Sequence, residues 1–204
     1  GTRRQSKGRW YDQLFMRWSE GVLFPEAGWA ARTTSAITGK GRNGLVFVSN
    51  ALERWIIVAC QSKLYACTSS ETSMHDITPA GLVAGSADAT AAGGYGSGPY
   101  GAGTYGTPRV SLTGAIQDAT IASLDTFGQD LVSCWPQDGY IYYWQRNTAV
   151  VAAVLTNAPT GCCGVAVTPE RFVLALGAGG DARTLAWSDQ EASTTWTPTA
   201  TNQA

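Results

Sequence analysis

His75 is the only histidine in the chain, so a Ser-His-Asp or Cys-His hydrolytic device would have to be built around it. It stands in Met74-His75-Asp76-Ile77-Thr78-Pro79, just ahead of a turn-forming proline, and reads as a half-exposed residue at a strand end. Glycosidase-type acid–base chemistry needs two carboxylates facing one cleft. Asp76, Asp125, Asp130, Asp138 and Asp189 are the candidates, but most occupy positions where aspartate is expected for its own turn hydrogen bonds. No pair stands out. The five cysteines, Cys60, Cys67, Cys134, Cys162 and Cys163, include no C-x-x-C pair, and one histidine offers no partner for a zinc site. Cys60 and Cys67 lie in apolar runs, where a thiol serves as a small buried hydrophobe. An odd count with no hydrophobic leader at the N-terminus argues for reduced thiols in a reducing cytoplasm. The expectation is a chain that is not an enzyme, with no catalytic residue, no metal site and no cofactor.

Two segments suit contact better than catalysis. Residues 93–108 are a glycine-rich stretch in which Tyr95, Tyr100 and Tyr105 recur at intervals of five. No Gly-Lys-Ser/Thr follows, so the stretch is not a phosphate cradle. Regular tyrosines on a permissive backbone suit packing against a partner subunit, because tyrosine brings contact area at low entropic cost. A stacking platform for sugars or single-stranded nucleic acid and a plain surface loop are the other readings. At the N-terminus, Arg3, Arg4, Lys7, Arg9 and Arg17 stand against Asp12 alone. Such an arm can meet phosphate or an acidic surface, or simply be solvated. The subunit-interface candidates are therefore Arg3, Arg4, Arg9, Tyr95, Tyr100 and Tyr105. A formal net charge of -1 gives the whole chain no signature of nucleic-acid binding. No apolar run reaches the eighteen or so residues of a membrane span, and no membrane partner is expected.

The elements that must position these residues are strands. The 24 glycines, outside any collagen-like period, imply many tight turns, and the aromatic residues favour a pleated surface. Three segments share one plan of apolar strand, polar turn and aromatic-rich return: 54–60 with 64–67, 130–134 with 140–144, and 171–176 with 184–188. Further strands fit at 44–49, 149–155 and 164–168. Residues 10–18 alone admit a helical reading, with an extended arm as the alternative. From Leu131 to Val173 is a step of about 42 residues, the period of a four-stranded propeller blade. From Ile56 to Leu131 is about 75, one blade plus the length of the Gly/Tyr-rich insertion. The fold class expected is all-β, with propeller-like antiparallel blades, partial or fragmentary, and a long Gly/Tyr-rich loop insertion. The expected organisation is a basic and aromatic arm with a first turn over 1–43, a first blade-like unit over 44–84, the insertion over 85–118, and further blade-like units over 119–204.

Two resemblances attach to particular residues. Trp187-Ser188-Asp189-Gln190, continuing to Thr195-Trp196, partly resembles the Asp-box of sialidases and related propellers. Asp189 directly follows Ser188, and no glycine occupies the turn. The resemblance implies a structural hairpin, in which the aspartate ties the turn and the tryptophan packs into the blade. Across nearly the whole chain a second resemblance runs in order. Trp10-Tyr11-Asp12, Met16 to Gly21, Gly28-Trp29, Leu64-Tyr65 with His75 to Pro79, Tyr95-Gly96 through Tyr105 to Arg109, Thr126 to Leu131, Val167 to Phe172 and Trp187 to Gln190 resemble phrases of phage tail structural proteins of the β-propeller nozzle or hub type. That resemblance implies a virion structural protein, assembled in the host cytoplasm as a homo-oligomeric ring. The ring would form the wall of the DNA exit channel, contact neighbouring tail and connector proteins, and let genomic DNA pass without specific binding. The family offers no catalytic residue to carry over. Its members are usually longer, and a chain that opens at Gly1 without methionine is expected to be a portion of a larger subunit. A receptor- or glycan-binding propeller is the alternative, and a glycoside hydrolase or depolymerase the less favoured one.

Overall fold

The computed structural model describes residues 16–25, 31–89 and 118–204. The chain divides into two units, Gly1–Thr34 and Ser35–Ala204. In the first, β1 (Met16–Ser19) pairs antiparallel with β2 (Val22–Pro25). Glu20 and Gly21 join them, both at positive φ (51° and 79°). Two such residues give a turn whose twist matches the strands it connects. Residues 16–18 are thus extended and not helical, because their backbone groups are taken up by β2. Residues 10–15 lie outside the described residues.

Among its described residues, the second unit holds three antiparallel meanders. The first is β3 (Gly41–Val48), β4 (Arg54–Cys60), β5 (Leu64–Thr68) and β6 (His75–Asp76); the second is β7 (Ser123–Phe127), β8 (Asp130–Cys134), β9 (Ile141–Trp144) and β10 (Ala153–Val154). The third is β11 (Gly164–Val167), β12 (Val173–Leu176) and β13 (Leu185–Trp187). In each, spatial order follows chain order. A three-residue 3-10 turn, Ala178–Gly180, is the one helical element among the described residues. The protein is all-β and antiparallel, and among the described residues its sheets do not close into a barrel. The predicted strand at 149–155 shortens to Ala153–Val154, because pairing with β9 reaches only Tyr142 and Tyr143.

Sheets stack face to face, and the strand period shows how. Successive side chains point to opposite faces. From β4, Trp55, Ile57 and Ala59 enter one apolar core together with Leu131, Trp135, Tyr142 and Trp144 of the second meander. The alternate residues of the second meander, Val132, Cys134 and Ile141, enter another core with Val165, Val173 and Ala175 of the third. The second meander is therefore covered on both faces. That is why residues 131–135 are all buried and read as a continuous apolar run instead of alternating. Each fully buried Leu, Ile or Val here contributes about 1.5–3 kcal/mol relative to exposure. Trp55 meets Trp144 edge-on at 5.3 Å, and Trp135 meets Tyr142 at 6.0 Å. The first strands come together at one side, where β7 packs against both β3 and β11.

Backbone also stacks on backbone. A Cβ on Gly139 would stand 2.9 Å from the Gly161 Cα, and one on Gly161 would stand 2.6 Å from the Gly180 nitrogen. Both residues have positive φ. Only glycine lets the turns of the second and third meanders approach so closely.

Candidate functional site

The joints between the meanders are the most heavily built part of the molecule. Trp135 follows β8, is fully buried, and donates its indole N–H to the Cys60 carbonyl at 2.9 Å. Beside it the Asn43 amide donates to the Ala122 carbonyl at 2.8 Å, and the Ala152 N–H donates to the Ile77 carbonyl at 2.9 Å. At the turn ends, the Val83 N–H donates to Asp138, and the Gln137 amide donates to the Val83 carbonyl. These bonds tie the first meander to the second, or to the segment that leads away from it.

The second joint is a short ladder. Ser123 and Asp125 point from alternate positions of β7 toward the third meander. Their oxygens accept the Val165 N–H at 2.9 Å and the Val167 N–H at 2.7 Å. These two amides lie on the edge of β11 away from β12, and two side chains thus act as one further strand would. Asp125 is mid-strand in β7 and serves this edge, unlike the turn aspartates. Beyond it lies a shallow groove of about 350 Å³ lined by Asp125, Thr168 and Arg171 among others. The Arg171 guanidinium sits 5.4 Å over the Phe127 ring and 3.8 Å from Glu191.

The other four aspartate candidates are similarly engaged, each with its own partners. Asp130 accepts from the Tyr143 hydroxyl at 2.6 Å and from Arg146 at 3.1 Å. Asp138 accepts from the Tyr142 hydroxyl. Burial first, and these carboxylates second, push both tyrosine pKa values up. Asp189 accepts the N–H groups of the adjacent Gln190 and of Gln203 in the C-terminal segment, and Trp196 packs against the second core. Asp76 accepts from Lys63 at 2.8 Å and from the Thr78 N–H at 3.0 Å. His75, on β6, is half-buried and meets Glu71 at 3.1 Å, while the other Glu71 oxygen accepts the Thr68 N–H at 2.7 Å. Cys60, Cys67, Cys134 and Cys162 are free and buried, and Cys163 is free and exposed. Burial pushes the Cys134 thiol up to about 12, far from a nucleophile's range.

The interface candidates Arg3, Arg4, Arg9, Tyr95, Tyr100 and Tyr105 all lie outside the described residues. The joint residues Ser123 and Trp135 were not singled out from the sequence, and Asp125 was named only as a candidate carboxylate. A signal existed: serine and aspartate two apart in a strand present one polar face, and where another sheet covers that face its polar groups need partners.

The faces of the first and third meanders turned away from the joints are covered only in part: Tyr65 and Cys67 are buried and the Tyr65 hydroxyl accepts the Thr38 N–H at 3.0 Å, while the Trp187 indole donates to the Gln203 carbonyl at 2.7 Å. On the first, Val46 pairs with Ile56, and Val46 and Val48 are 59% and 53% exposed. On the third, Leu174 pairs with Trp187 and Leu176 with Leu185, and the last three are 41–48% exposed. No family model matches this chain, and no curated protein or solved structure is significantly similar to it.

Proposed function

We propose that this chain is a non-enzymatic structural protein, a wall segment of a phage tail ring of the propeller nozzle or hub type. One observation carries the reading: a meander buried on both faces between two others, with carboxylates and indoles spent on the joints. Such stacking makes a stiff wall, since close-packed interiors resist deformation. The ordered sequence phrases point to the tail family, and blade-like meanders are what that family would require. In a ring the wall would enclose the exit channel and adjoin other tail proteins. A net charge of -1 suits a channel through which DNA passes without being held.

The test is a reconstruction of the assembled particle. Density for the three meanders, repeated around the tail axis, is the expected result. A chain absent from purified virions, or present as a single copy off the axis, overturns the reading. A glycan-binding role would instead appear as lost host adsorption when Tyr95, Tyr100 and Tyr105 are replaced by alanine.

A further inference from the structure

We propose that Asn43 is a site of self-modification: the Gly44 backbone nitrogen closes on the Asn43 side-chain amide, converts it to aspartate or isoaspartate, and so removes a tie of the first joint. The proposal does not depend on the ring reading.

Of the asparagines Asn43, Asn50, Asn147, Asn157 and Asn202, Asn43 alone precedes a glycine. With no Cβ on the following residue, the nitrogen there meets the least steric resistance to attack. The strand leaves that nitrogen outside the ladder. Ser49 donates its N–H to the Glu53 carbonyl, and alternate residues of an antiparallel strand face the partner. Asn43, Leu45 and Phe47 therefore face β4, while the Gly44 N–H points to the edge of β3 that pairs with no strand. It donates to the Asn43 Oδ1 at 2.9 Å instead. The carbon to be attacked, Cγ, is bonded to that oxygen, so the reacting atoms are already neighbours, as a fast intramolecular reaction requires. Just before them Arg42 is an extra residue on β3, where the register shifts between Gly41 and Asn43, and a bulge of this kind disrupts the ladder locally. Gly44 is exposed, so water reaches the site. In the reaction the Gly44 nitrogen gives its proton to hydroxide and bonds to Cγ. The Cγ–Nδ2 bond breaks, and Nδ2 leaves as ammonia with a proton from water, which restores the hydroxide. Water then opens the cyclic imide at either carbonyl, with nothing oxidised or reduced. Both products lack the amide donor that the Ala122 carbonyl accepts at 2.8 Å. Aspartate sets a carboxylate against that carbonyl, and isoaspartate adds a methylene to the backbone of β3.

The full chain, held folded at mildly alkaline pH, is sampled over time by peptide mapping with fragmentation that separates aspartate from isoaspartate. Asn43 should convert about tenfold faster than any other asparagine, and Gly44→Ala should slow it by about as much. That substitution leaves the fold intact, because a Cβ on Gly44 meets only the Ile57 carbonyl at 3.4 Å and φ there is not positive. Amide hydrogen exchange reads the consequence. The Ala152 N–H, which crosses the same joint to the Ile77 carbonyl, should lose protection in the converted fraction and in Asn43→Asp. The converted fraction comes from protein already folded, so this arm stands even where Asn43→Asp fails to fold. Conversion of Asn43 no faster than of the other asparagines, or seen only in the urea-unfolded chain, overturns the proposal, since the strand would then shield the amide. Conversion that leaves Ala152 as protected as before overturns the loss of the tie. None of these outcomes bears on the ring reading.

Discussion

Trp135 and Cys60 are 75 residues apart in sequence and are joined by a 2.9 Å hydrogen bond from the indole to the backbone carbonyl. The bond crosses from the second meander to the first, with the indole fully buried. One residue thus fills the joint with its ring and fixes its register with its N–H, as buried tryptophans do when a partner is in reach.

Replacing Trp135 separates those two contributions. Trp135→Phe keeps an aromatic ring but removes the donor, and should cost about 1–3 kcal/mol. Trp135→Ala should cost about 3–5 kcal/mol through the added cavity. Urea denaturation reads both. A Trp135→Phe variant as stable as the parent chain would mean that the hydrogen bond contributes nothing.

Asp125→Ala leaves the Val167 N–H at the second joint without its acceptor, at an expected cost of about 1–3 kcal/mol. Amide hydrogen exchange should localise the effect. Val167 should lose protection while Val165, held by Ser123, keeps it. Ser123→Ala should reverse that pattern. Uniform loss across β11 in both variants would show that the two bonds are not separate ties.

Acid should weaken the fold through Glu71. The bond from the Thr68 N–H is the first cause that holds its carboxyl below the usual 4.5, with burial opposing and His75 assisting. A folded pKa below the unfolded one stabilises above pH 4.5, and the contribution disappears as pH falls through the lower, folded value. The denaturation midpoint should therefore drop below about pH 4.5. In Glu71→Gln the drop should be shallower, and a variant as acid-sensitive as the parent chain contradicts the assignment.

Thiol titration of the native protein should find one fast-reacting group, Cys163, the exposed cysteine. The other four should react only after unfolding, since burial both blocks access and holds Cys60, Cys134 and Cys162 protonated. Cys163→Ser should abolish the fast phase. Two or more fast thiols in the native state would mean that the joints around Cys134 and Cys162 open readily.

The residues by themselves settled the local structure. The run 54–60, the turn at Gln61-Ser62-Lys63 and the return from Leu64 become β4 and β5 almost residue for residue, and 164–168 becomes β11. Strand alternation and turn chemistry are local, acting between neighbours in sequence, so they are legible there. His75 and Cys60 were placed for the same reason. Tertiary structure alone decided which face of each meander is covered, because burial depends on another sheet that arrives from more than forty residues away. It aimed the Asp125 carboxylate from β7 at the Val167 N–H of β11, and the Trp135 indole at the Cys60 carbonyl.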